Sequence, residues 1–134
     1  MSLGYPYFPL RRGDIYTIKV PFTEDSARQE KHPVLVLRDE RLEKPKASFT
    51  VVAYGTSNME YDTYPFAIRI DPHAIPDLNL KEPTFFLAHR LHTVDKRKYF
   101  IGALYLGRLN HDLMDRFDEL LVLALQIGEF KENL

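Results

Sequence analysis

Six short apolar runs, each closed by proline, glycine or a charged cluster, leave this chain few ways to fold. Ile15-Tyr16-Thr17-Ile18-Lys19-Val20 alternates apolar with mixed positions, as a strand with one buried face does, and Pro21 ends it. Pro33-Val34-Leu35-Val36-Leu37 is continuously apolar and β-branched, which predicts a central strand buried on both faces. Residues 49–54, broken by Gly55, and residues 66–70, bounded by Pro65 and Asp71-Pro72, are two more. Phe85-Phe86-Leu87-Ala88 and residues 100–106 complete the set. Strands at such short intervals, with no helix between them, argue against a βαβ alternation and for a small barrel or sandwich.

One helix is expected, and it lies at the end. Leu113, Phe117, Leu120, Leu121 and Ala124 share a face at helical spacing, which packs on the barrel or on a second subunit. Asn110 suits the N-cap, Asp112 the first turn, and Gly128 the position just past the end. Residues 23–31 are polar without helical periodicity and read as an exposed loop. Nine prolines without repeats or low complexity favour a β-rich domain with rigid turns. At 134 residues the chain is expected to be one domain, 1–134, with residues 1–10 as an N-terminal extension.

Composition removes several classes of function. With no cysteine there is no disulfide, no thiolate zinc site and no cysteine nucleophile, which fits the reducing cytoplasm expected for this chain. No apolar run is long enough to span a bilayer, and the N-terminus lacks a charged segment followed by an apolar one, so no membrane partner is expected. The formal net charge is −1, so any nucleic-acid site has to be a local patch.

The candidates for chemistry are few. His32, beside Pro33, is either a half-exposed loop histidine or an acid–base group, since an imidazole with a pKa of about 6.5 populates both forms near neutrality. Thr56 and Ser57 follow Gly55 at a strand end, where hydroxyls either satisfy turn backbone or position a ligand. His89 and His92 lie three apart on a predicted strand and so face opposite sides, which argues against one metal pair. No metal and no cofactor are expected. Lys96-Arg97-Lys98 followed by Tyr99-Phe100 is either a solvated turn or a single-strand binding surface of cations and rings, and Tyr5, Tyr7, Phe8 and Arg11-Arg12 are a weaker case of the same kind. His73 and His111 carry no assigned role.

Three segments, in order, resemble the PemK/MazF family of toxin–antitoxin endoribonucleases. Arg12-Gly13-Asp14-Ile15-Tyr16 is similar to that family's opening. Residues 31–37 followed by Val51-Val52-Ala53-Tyr54-Gly55-Thr56-Ser57 are similar to its central strand pair, and residues 84–125 to its last strands and helix, with His92-Thr93-Val94-Asp95-Lys96 as marker. The resemblance implies a mainly β fold, an SH3-like β-barrel of about six strands with a C-terminal α-helix, working as a homodimer. It also implies metal-independent cleavage of single-stranded RNA, a cognate antitoxin as partner and, with that antitoxin, operator DNA. His32 stands at the family's catalytic arginine position and Thr56 at its hydroxyl position; these two are the expected catalytic residues. Lys31, Ser57, His89, Arg90, His92 and Arg12 are the expected binding residues, with His92 again replacing a family arginine. The alternative is a non-catalytic module on the same barrel, either a protein-directed growth inhibitor or a DNA-binding autoregulator.

Overall fold

The computed structural model describes residues 9–19, 31–43 and 47–127. Six strands form one antiparallel curled sheet: β1 (Asp14–Lys19), β2 (Lys31–Val36), β3 (Phe49–Thr56), β4 (Ala67–Ile70), β5 (Thr84–Asp95) and β6 (Leu104–Arg108), in the order β4-β5-β3-β2-β1-β6. A short helix α1 (Lys96–Tyr99) separates β5 from β6, and α2 (His111–Leu125) closes the described chain. The mainly β, SH3-like half-barrel with a C-terminal helix is the expected fold. Among the described residues no helix is long and apolar enough to cross a membrane.

Both faces of the sheet are buried, as the continuous apolar run of β2 predicts. Ile15, Leu35, Ala53, Ile68, Phe86 and Ala88 pack with Met114 and Phe117 of α2 on one side, the helix face. Tyr16, Ile18, Val34, Val36, Val52, Tyr54, Phe85, Leu87 and Val94 form the far face, covered by Leu10 and Phe100. The amphipathic stripe of α2 contains the five residues read from sequence, Leu113, Phe117, Leu120, Leu121 and Ala124, and adds Met114 against the helix face. Asn110 caps this helix by accepting the Leu113 N–H at 2.9 Å. Its left-handed terminal residue is Gln126, at φ 57°, whereas Gly128 lies outside the described residues.

Several strand boundaries differ from expectation, and β2 starts at Lys31, the last residue of the run read as a loop, two before Pro33. Gly55 does not break β3, which runs through it to Thr56. A Cβ at Gly55 would stand 2.6 Å from the Pro33 carbonyl oxygen and 2.8 Å from the Phe86 ring, so glycine is what lets β2, β3 and β5 come this close. The fifth strand is far longer than residues 85–88 and carries the whole segment to Asp95. Residues 100–103 form a turn, not the start of β6, because Gly102 takes φ +71° and the Ala103 N–H bonds back to the Phe100 carbonyl at 3.2 Å. The end of the first run at Val20 and the loop up to residue 30 lie outside the described residues, as do Tyr5, Tyr7 and Phe8.

A buried ion pair ties the periphery together. Lys96, read in sequence as part of an exposed basic turn, is only 1% exposed and pairs with Glu40, itself 4% exposed. Glu40 also accepts the Leu10 N–H at 2.9 Å and donates its own N–H to the Leu10 carbonyl, while the Lys96 N–H bonds to the Ser48 carbonyl. Segments around Leu10, Glu40, Ser48 and Lys96 thus converge through the backbone and side chains of two residues. Removing one partner leaves the other charge buried and unpaired, so Lys96→Met is expected to cost about 3–5 kcal/mol and the Glu40→Gln/Lys96→Met double variant distinctly less. Urea unfolding of both variants checks this; a double variant no more stable than Lys96→Met would mean that the Glu40 carboxylate stripped of its lysine is not the source of the loss.

Candidate active site

The register of β2, β3 and β5 decides which side chains meet. Val34 pairs with Tyr54, Val36 with Val52, and Val52 in turn with His92. Side chains alternate between faces, so His32 lies on the same face of β2 as Val34 and Val36. Tyr54 and Thr56 likewise share a face of β3, with Thr56 set against Phe85 of the far-face core. His32, Tyr54 and Thr56 therefore belong to the far face toward one end of the β2–β3 pair, and His92 to the same face beside the Val36–Val52 rung.

A bulge in β5 brings the rest. Ala53 pairs with Leu91 and Gly55 with Phe86, so residues 87–90 of β5 stand opposite Tyr54 alone. Such insertions re-aim side chains that regular pleating would send elsewhere. Here Arg90 is turned over the Tyr54 ring, its guanidinium carbon 4.5 Å from the centroid. On the other side of that tyrosine, the His32 Nδ1 lies 3.2 Å from the Tyr54 hydroxyl, a shared hydrogen bond, with ring centroids 5.1 Å apart. Tyr54 is 6% exposed and so holds the half-buried His32 and Arg90 from a fixed position. Sequence reasoning marks it only as a strand residue. Its signal is its position two residues before Thr56, which puts both on one face of a strand.

The other expected residues are distributed unequally. The Thr56 hydroxyl oxygen accepts the Asn58 N–H at 3.2 Å, so it serves the turn after β3, while its own proton remains able to donate. Ser57 is exposed beside it. His89 sits in the bulge, exposed, 4.7 Å edge-on from the Tyr64 ring. Lys31 is exposed at the first position of β2, next to His32. Arg12 is not brought to the site: its guanidinium donates to the Leu37 carbonyl at 2.6 Å and pairs with Asp118 of α2, on the helix side of the sheet. Among the described residues no group of three or more histidine, aspartate or glutamate side chains is placed to hold a metal ion.

Burial, reinforced by the positive charge of Arg90, pushes the His92 imidazole below its usual value, and the same causes in the same order act on His89. Arg90 is thus the electrostatic neighbour of two histidines and the ring neighbour of the tyrosine that bonds a third.

The family model described as PemK-like, MazF-like toxin of type II toxin–antitoxin system matches residues 11–125. The chain belongs to that family. Solved structures that resemble this PemK/MazF-family chain include a MazF from Deinococcus radiodurans at 18% identity and TM-score 0.68, covering 90% of this chain and 99% of that one. Another is an endoribonuclease in complex with its cognate antitoxin from a mycobacterial species, at 18% identity and TM-score 0.65, covering 89% and 97%. A third is the Mycobacterium tuberculosis toxin MazF-mt6, at 16% identity and TM-score 0.65, covering 86% and 98%. No curated protein sequence matches the chain closely enough to count as a relative.

The depressed histidines have a consequence for stability. As pH falls through about 6.5, the unfolded chain takes up protons on residues 89 and 92 that the folded chain still refuses, so folding is most favoured above that value and weakens below it. Urea midpoints are expected to fall between pH 7.5 and pH 5.5, and to fall less in a His89→Asn/His92→Asn variant. An unchanged pH dependence in that variant would remove both histidines from the linkage.

Proposed function

We propose that this toxin-family chain is a metal-independent endoribonuclease acting on single-stranded RNA in the cytoplasm. The observation that carries the reading is the His32–Tyr54–Arg90 constellation on the face that also holds Thr56. Cleavage begins when a base removes the 2′-OH proton and that oxygen attacks the adjacent phosphorus. The bond to the 5′-oxygen then breaks as an acid protonates it, leaving a 2′,3′-cyclic phosphate and a 5′-hydroxyl. His32 is the acid or base, because an imidazole has one ring nitrogen that accepts a proton and one that donates it. Arg90 supplies charge to the phosphorane oxygens, and the Thr56 hydroxyl donates to the same group. Tyr54 is a positioning residue that fixes the imidazole and cushions the guanidinium.

The imidazole at residue 32 replaces the arginine that the family resemblance leads one to expect. It gives up a permanent charge and a bidentate grip on phosphate, which Arg90 offsets from the β5 bulge. Exposed apolar residues on edge strand β6, Leu104 and Tyr105, support assembly as a homodimer. The neighbour solved in complex with its cognate antitoxin supports an antitoxin as partner of this chain, and the reading extends to an antitoxin segment that competes with RNA at His32 and, with the toxin, binds operator DNA.

Purified protein is expected to cut a mixed-sequence RNA in EDTA to give 5′-hydroxyl ends, and 2′-deoxy substitution at the cut should block it. His32→Ala should lower kcat about 10²–10⁴-fold while leaving the urea midpoint intact. Cutting at the wild-type rate would take His32 out of the mechanism. Tyr54→Phe, which removes one hydrogen bond worth about 1 kcal/mol, should lower kcat roughly 5-fold at constant KM and displace the pH–rate profile. If the wild type never cuts RNA, the non-catalytic module becomes the better reading.

A further inference from the structure

A cavity of about 400 Å³ opens at the end of the β1–β2 ribbon, lined by Lys19, Lys31 and Lys98 with Thr17, Tyr99 and Gly102. The three lysines come from three elements: the end of β1, the start of β2 and α1. No carboxylate lines the cavity among the described residues, although the whole chain has 19 acidic against 18 basic residues. Cations are therefore gathered here against the overall composition. The Lys98 ammonium lies 5.4 Å over the Tyr99 ring, which joins a cation to a stacking surface. Gly102 contributes a turn with no heavy atom within 4 Å of where its Cβ would be, so this wall is open.

The cavity adjoins the candidate active site. Lys19 pairs with Lys31 on the rung next to the Ile18–His32 pair, about 3.4 Å further along the ribbon. Its volume is within the range of roughly 300–1,000 Å³ usual for ligand sites. Lysine ammonium groups suit a phosphate whose orientation is not fixed, because each acts as a point charge with rotatable donors.

We propose that this cavity binds a phosphate of the RNA strand next to the bond at His32, with the neighbouring base against Tyr99. The proposal rests on the nuclease reading for the strand it holds. An acidic peptide is the other polyanion that could enter, but the ring beside the cation and the one-rung distance to His32 favour a nucleotide.

Anisotropy titration of a fluorescent 2′-O-methyl oligoribonucleotide, which cannot be cut, at several salt concentrations tests the assignment. In Lys19→Gln/Lys98→Gln the slope of log K against log salt should become shallower by about 1.4, because each lysine that neutralises a phosphate of a single strand adds about 0.7 to it. The same variant should cut RNA with raised KM and wild-type kcat, whereas His32→Ala should keep the wild-type salt slope. An unchanged slope in the double-lysine variant overturns the proposal, as does failure of the wild type to bind the oligonucleotide. Tighter binding of a glutamate decapeptide, abolished in the same variant, would assign the cavity to an acidic peptide and also overturn it. A shallower slope in a protein that never cuts RNA would leave the cavity standing and sink the nuclease reading alone; cutting with an unchanged slope is the reverse case.

Discussion

Val34 pairs with Tyr54 across β2 and β3, and with both faces of the sheet buried that pairing has no tolerable alternative. A slip by one residue would exchange the helix-face set, Leu35 and Ala53, for the far-face set, Val34, Val36, Val52 and Tyr54. The β2–β3 half of the candidate site follows from this register, which sets His32 on the face that carries Tyr54 and Thr56. Gly55 secures it by letting the Pro33 carbonyl and the Phe86 ring approach to distances that no side chain would permit.

The periphery answers to a different constraint. Glu40 and Lys96 are charges almost without solvent that pair with each other, and the Glu40 carboxylate also accepts the Leu10 N–H. Such a pair contributes little net stability relative to an apolar replacement, yet it is very costly to half-remove. Its effect is to hold α1 and the turn after it in one place. That turn and α1 form one wall of the lysine cavity, so the buried lysine of the 96–98 run positions the exposed one.

Much of the architecture was legible along the chain. The apolar runs located all six strands because burial of strand faces writes itself into composition, and the α2 stripe was legible, but for Met114, because helical spacing is regular. Less of the site could be read. His32, Thr56, Arg90 and His92 were singled out, but nothing local distinguished Arg90 from Arg12, which the fold commits to Asp118 and the Leu37 carbonyl. The basic run 96–98 looked uniform, although one member is buried and another lines a cavity. Tyr54 was hidden because a tyrosine in a strand is ordinary core material until its hydroxyl is seen to have a partner.

The amino-acid sequence determined by itself the strand count, the terminal helix, the faces that must be buried and the membership of a toxin family, because each is carried by periodicity or by motifs contiguous in the chain. Only the tertiary structure decided that β5 bulges opposite Tyr54, that Arg90 is thereby turned over that ring, and that Lys19, Lys31 and Lys98 surround one cavity. These depend on pairing between segments tens of residues apart. Pairing is settled by the packing of the whole sheet, and no short stretch of chain contains that information.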